Sequence, residues 1–288
     1  NALGDKITPT TVITKSEIEK YKLIDLPKVL NFVSSLDVTQ SGPTGQQSSV
    51  FFRGTNSNHA LVLLNGIPIN DFSTPTGQFD VGQDFMFNVY QIDVYKGSSG
   101  AHWGADAVGG VINFRTNVDY DKKFSVSGNG NDKTINGNYY TRLNDFDISV
   151  SAGQHESKNV SALSGADELD GTDNKSISVN VSKWYDLIHW RTSWFARNTF
   201  TDIDGHSVAI QNDKWSDNTF YAFQTGIDYL NNSLTLHTHD YDRDFDDAHY
   251  ESDNFTIRGT HQTKNYGFGF DYKHNESYGK STWSENRG

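Results

Sequence analysis

The stretch I-D-V-Y-K-G-S-S-G-A-H-W-G-A-D-A-V-G-G-V-I-N-F, Ile92 to Phe114, decides the fold, because two different sequence textures meet at its end. Its first residues read as a strand, Gln91–Tyr95, and its last as another, Val111–Arg115. Gly97, Gly104, Gly109 and Gly110 suit tight turns and close backbone approach. Arg53 and Lys96 place charge on otherwise apolar strands, to pair either with acids on a surrounding wall or within their own domain.

Upstream, residues 1–117 are mixed in character. Thr11–Ile13 reads as a short strand. Thr14 and Glu17 form a T-x-x-E capping box that opens a helix to about Tyr21. Asp25 caps a second helix, with Leu26, Val29, Leu30 and Val33 on one face. Further strands are predicted at Ser49–Arg53 and Ala60–Leu64, separated by Gly- and Pro-containing turns. This is a small α+β domain.

Downstream, residues 118–288 lose helical periodicity and alternate at period two. Phe146, Ile148 and Val150 alternate with Asp147, Ser149 and Ser151, and Tyr266, Phe268, Phe270 and Tyr272 with Gly267, Gly269, Asp271 and Lys273. A soluble sandwich and a membrane barrel share this period. Segments of ~9–14 residues match tilted spanning strands. Aromatic residues at segment ends (Trp184, Tyr185, Tyr229) match interfacial girdles. Short connections near Asn144, Asp186 and Asn231–Asn232 alternate with long polar ones at about 157–174, 200–217 and 240–253, the barrel layout.

The chain has 288 residues, 36 acidic against 24 basic, and a net charge of −12. That balance argues against nucleic acid, which demands clustered cations. Cysteine is absent, which removes disulfides, thiolate metal ligation and thiol catalysis. No apolar run reaches the ~20 residues of a membrane helix, and the mean hydropathy of −0.64 is blind to alternating strands. No nucleophile elbow, phosphate loop or Ser/His/Asp ordering appears, so neither an enzyme nor a redox cofactor is expected.

Three stretches resemble the plug of TonB-dependent outer-membrane receptors: Ser48–Asn56 (SSVFFRGTN), Leu61–Asn70 (LVLLNGIPIN) and Ile92–Phe114. Lys96, Ser98, Asn65 and Trp103 depart from the usual pattern while largely keeping charge or aromatic character. The resemblance implies an α+β plug over 1–117 followed by antiparallel strands of a transmembrane β-barrel over 118–288. Closure of such a barrel takes about 22 strands, and this length supplies about 8–9. The expectation is therefore an open, curved sheet around the plug, in a chain truncated at both ends. The resemblance also implies ligand import across the outer membrane of a Gram-negative bacterium, driven by TonB through a segment before the plug, with lipid and lipopolysaccharide as surroundings. A passive porin, an adhesin and a soluble carbohydrate-binding sandwich are the alternatives of different class.

Within that family the wording of Asp37–Ser49 and Arg53–Gly66 is most similar to the cobalamin (vitamin B12) transporter, with a ferric siderophore receptor as the alternative. The implied apical loops offer Ser41, Gly42, Thr44, Gln46, Gln47, Ser48, Asp71, Phe72, Thr74 and Thr76 as substrate-binding candidates. Position in the same subfamily implies a calcium site from Asn159, Glu168, Asp170, Asp204 and Asp213, oxygen donors of the kind calcium prefers. His237, His239 and His249 lie among five aspartates and are expected to be solvated side chains where a strand enters a polar loop.

Overall fold

The computed structural model describes residues 10–21, 25–74, 76–84, 87, 89–97, 103, 106–116, 122–128, 130–161, 169–203, 214–246, 248–263, 266–281 and 285–287. The N-terminal domain begins with β1 (Thr11–Thr14) and α1 (Lys15–Lys20). Thr14 caps α1: its hydroxyl accepts from Glu17 N, and the Glu17 carboxylate accepts from Thr14 N at 2.9 Å, completing the box. Asp25 caps α2 (Leu26–Leu30) through Lys28 N at 2.9 Å. The helix stops before Val33, which nonetheless packs into the core from the following turn.

A hairpin of β2 (Leu36–Gln40) and β3 (Ser48–Phe52) follows, then β4 (Ala60–Leu64), β5 (Ile67–Pro68), β6 (Gln91–Lys96) and β7 (Gly110–Arg115). Four of these join β1 in a sheet of order β1-β6-β7-β4-β5, in which only β4 and β7 run parallel. Strand β4 is buried throughout, so it reads as a continuous apolar run rather than an alternating one. Gly110 is fixed by close approach: a Cβ there would lie 2.6 Å from both Phe52 Cε1 and Tyr95 O. The core gathers Leu26, Leu30, Phe52, Val62, Ile92 and Ile112, each such side chain stabilising the fold by about 1.5–3 kcal/mol through burial.

The second part is one antiparallel sheet in simple meander order. Its strands are β8 (Lys123–Gly128), β9 (Asp132–Leu143), β10 (Phe146–Val160), β11 (Leu169–Tyr185), β12 (Ile188–Ile203), β13 (Lys214–Tyr229), β14 (Asn232–Phe245), β15 (Ala248–Gln262), β16 (Gly267–Ser281) and β17 (Glu285–Arg287). Among the described residues strands β8 and β17 end it without pairing to one another, so the sheet they form is open. The turns at Asn144–Asp145, Asp186–Leu187 and Leu230–Asn231 fall at the predicted short connections, with Asn144, Asp145, Asp186 and Leu230 at positive φ.

Alternation sorts the two faces. Trp194, Tyr221, Phe223, Ile227, Leu234 and Leu236 are exposed on the outer face, whereas Arg197, Thr199, Asn218, Gln224 and Thr235 are buried on the inner face. A soluble sandwich would bury the apolar face; here the polar face is buried, against the N-terminal domain.

One expectation changes. The third long connection is not seen among the described residues: β14 and β15 pair through to Phe245 and Ala248, because polar residues there belong to strands that outrun the apolar band. Of the two pairings left open for the cations of the first part, Lys96 takes the one inside its own domain. Lys96 Nζ donates to Ser34 Oγ at 3.1 Å within the N-terminal domain, and Arg53 sits exposed at positive φ just past β3. The cations come from the wall instead: Arg197 pairs with Asp84 at 3.2 Å, Arg243 with Asp71 at 2.8 Å, and Arg258 donates to Gly66 O at 2.6 Å.

Candidate functional site

The segment between β2 and β3 caps the N-terminal domain and presses against the wall. Ser41 N donates to Gln47 O at 2.9 Å, closing the loop on itself. Gly45 adopts φ +94°, and a Cβ on it would lie 2.2 Å from Thr172 Oγ1 of β11. Its carbonyl accepts from Gln83 Nε2 at 2.9 Å and from Thr201 Oγ1 of β12 at 3.3 Å. Gln46 reaches further, donating to Asp170 Oδ2 at 3.1 Å and to Asp202 O at 3.2 Å. Gly42 leaves room for that side chain, since a Cβ there would meet Gln46 Oε1 at 2.3 Å. Ser48 is buried and ties back to Asp80, whose Oδ1 accepts from Ser48 N at 2.8 Å.

Beside this loop a cavity of about 440 Å³ opens toward the ends of β12 to β15. Ser41, Gln46, Gln47 and Gln83 form one side; Lys214, Trp215, Asn218, Arg243, Phe245 and Tyr250 form the other. Rings and cations alternate with amide groups, so the lining can stack, hydrogen-bond and neutralise charge. Its cations are already engaged, Arg243 with Asp71 and Lys214 with Asp246 at 3.8 Å. Burial pushes the carboxyls of Asp80 and Asp84 upward, Asp84 to about 6, against the pull of Arg197.

The second predicted loop divides. Asp71 is buried and serves structure: its Oδ1 accepts from Ser73 N at 2.8 Å and Ser252 Oγ at 3.4 Å, while Oδ2 takes Arg243. Phe72, Thr74 and Thr76 line a separate cavity of about 510 Å³ with Asn58, His59 and Asp106. The structure thus brings Ser41, Gln46 and Gln47 together at the first cavity and places Phe72, Thr74 and Thr76 at the second. Thr44 contributes its carbonyl, which accepts from Asn159 Nδ2 at 3.5 Å.

Of the calcium candidates, Asn159 and Asp170 are direct cross-strand partners, so their side chains share the inner face. Glu168, Asp204 and Asp213 lie outside the described residues. The histidine expectation is corrected for two of three residues. His237 and His239 are 2% and 1% exposed, because they fall on the inner face of β14 under the N-terminal domain rather than in a loop. His249 is on the opposite face, held by Asp244 at 2.8 Å and Glu251 at 3.0 Å. Asp242, Asp244 and His249 bring ligand atoms within 4.8 Å of one another.

Sequence reasoning missed Lys214, Trp215, Arg243, Phe245 and Tyr250. Parity held the signal for two of them. His237, His239, Tyr241, Arg243 and Phe245 share odd positions on one strand, and extending the alternation past Asp240 would have placed them on the face of the buried Thr235.

Residues 3–111 match the sequence family described as TonB-dependent Receptor Plug Domain. The siderophore receptor PiuA from Acinetobacter baumannii superposes with a TM-score of 0.69 at 18% identity, over 93% of this chain and 45% of that one. The ferric yersiniabactin uptake receptor FyuA from Yersinia pestis gives 0.68 at 15%, over 99% and 52%. The ferric enterobactin receptor PfeA from Pseudomonas aeruginosa gives 0.71 at 14%, over 94% and 50%. The chain spans about half the length of the solved structures it matches. An apolar-out sheet wrapped on a compact α+β domain, the family match to that domain and the shared fold converge: residues 3–111 match a TonB-dependent receptor plug domain, and the whole chain has the fold of such a plug seated on antiparallel barrel strands.

Proposed function

We propose that this chain binds a ferric siderophore or a related iron chelate between the plug apex and the strand ends, for TonB-dependent import across the outer membrane. The observation that carries this reading is the cavity in which Phe245, Tyr250, Lys214 and Arg243, with Trp215 at its rim, stand across from the apical Ser41, Gln46 and Gln47. Aromatic faces and cations suit a large, polarisable chelate whose donor groups carry negative charge. Siderophore receptors among the similar folds favour the same substrate class. In this mechanism the ligand rests on the apical loop, TonB draws on the plug, and the seam of wall arginines and plug acids yields so that the ligand passes. The exposed outer aromatic face sits in lipid and lipopolysaccharide.

Cobalamin is the second reading, favoured by the amides of Gln46, Gln47, Gln83 and Asn218 in the same lining, which match corrinoid amide side chains. Calcium would be held by Asn159 and Asp170 with Glu168, Asp204 and Asp213, bracing the wall beside Gln46. Equilibrium binding tests the assignment. A panel of ferric siderophores and cyanocobalamin is titrated against the protein, with and without calcium, while tryptophan fluorescence is followed. Micromolar or tighter binding of a ferric siderophore alone is expected. Binding of cyanocobalamin alone would overturn the iron reading in favour of the second.

A further inference from the structure

We propose that His237 and His239 form a proton-operated latch between the barrel wall and the plug segment Ile67–Asp71. The two imidazoles lie side by side, with His237 Nε2 and His239 Nδ1 3.0 Å apart. Both are sealed from solvent. Among the described residues, their remaining nitrogens, His237 Nδ1 and His239 Nε2, have no well-formed hydrogen bond, nor does Nδ2 of Asn254, the cross-strand partner of His239. The rings of Phe220 and Tyr241 pack on His239, at 5.9 and 5.8 Å.

A single shared hydrogen bond needs one protonated and one bare nitrogen. Whichever tautomer is chosen, the docked pair keeps one buried donor and one buried acceptor unpaired, at roughly 1–3 kcal/mol each. The plug backbone at Asn70 is the nearest acceptor to His239, though not aligned as a full hydrogen bond, and the seam closes on either side of the pair. Tyr241 Oη donates to Ile69 O at 2.7 Å, and Arg258 Nη1 to Gly66 O. Parting the seam would hydrate both rings and satisfy both nitrogens. The pair therefore lowers the free-energy gap between docked and parted plug.

It also makes that gap depend on pH. A proton added while docked would break the shared hydrogen bond, with only the poorly aligned Asn70 backbone oxygen to receive it. The charged groups around the pair offer it nothing. Arg258 of β15 acts on His237 with like charge and is itself held by Asp271. Asp71 of the plug is committed to Arg243, and the Tyr241 hydroxyl to Ile69. Once parted and hydrated, an imidazole titrates near its ordinary value of about 6.5. One proton taken up only in the parted state multiplies that state's population by about 10 between pH 7.5 and pH 5.5.

The test is hydrogen exchange of peptides spanning Ile67–Asp71, at pH 7.5 and 5.5, corrected for the intrinsic exchange rate and without any ligand, so the outcome is independent of the substrate assignment. Exchange through opening should rise about 10-fold on acidification in the wild type and stay level in the double variant His237→Gln/His239→Gln. The single variant His239→Gln, which keeps one imidazole, serves if the double variant does not fold, and should show a smaller rise than the wild type, because at most one proton is then taken up on parting. No rise in the wild type, or the same rise in the variants, would overturn the latch.

Discussion

Asp71 and Arg243 hold the plug apex to the wall beside the ligand cavity, and their coupling is measurable. The Asp71 carboxylate is 6% and the Arg243 side chain 14% exposed, with an N–O separation of 2.8 Å. Removing one partner of a buried pair costs about 3–5 kcal/mol, because the other charge is left uncompensated. Arg243 keeps Asn218 Oδ1 at 3.2 Å and borders a cavity, so partial hydration reduces the penalty to about 2–3 kcal/mol. Asp71→Asn is nearly isosteric and retains an acceptor for Ser73 N, so the change isolates charge. Opening of the segment around Phe72 to Thr74, followed by native-state hydrogen exchange, should become about 30–150-fold more frequent. Combining it with Arg243→Met should restore most of the loss, because no buried charge then stands alone. A coupling of at least ~1.5 kcal/mol is expected from the double-mutant cycle. A value below ~0.5 kcal/mol would refute the claim that this pair clamps the apex.

Two further outcomes follow from burial and orientation. The Asp84 carboxyl is raised to about 6 by burial, so the packed state holds a proton that the unfolded chain releases near 3.8. Its contribution is fully present below the unfolded value and fades as pH rises through about 6; thermal unfolding of the plug should show a dependence between pH 4 and 6.5 that Asp84→Asn removes. The sign opposes that of the histidine latch, which keeps the two separable. Phe223, exposed on the outer face opposite Trp194 and Thr238, should tolerate arginine poorly. Phe223→Arg should cost about 2–4 kcal/mol in folding into lipid vesicles, by urea titration, against about 0–1 for Tyr229→Arg near the turn. Equal costs would argue against a lipid-facing surface.

The strand scheme was legible because it is written in local chemistry. The capping box at Thr14 and Glu17, the Asp25 cap and the period-two runs each fix their element with neighbours close in sequence. The turns at Asn144, Asp186 and Leu230–Asn231 likewise follow from residues that tolerate positive φ or end an alternation. Strand β2 was not foreseen, because Asp37, Thr39 and Gln40 look like loop and are held only by pairing with β3.

What the sequence determined alone was the α+β character of the first part, the alternating strands and the plug signature. The identity of the buried face was left to tertiary structure. Period two says that two faces differ, and only packing says which one meets water, lipid or another domain. The same limit explains the site. Ser41, Gln46 and Gln47 were nameable from their loop, but Lys214, Trp215, Arg243, Phe245 and Tyr250 join them across more than 160 residues of chain through strand register alone. His237 and His239 looked solvated beside their aspartates and became buried because the register of β14 aims them at the plug. No local pattern encodes what lies opposite a strand face; the fold supplies the partner.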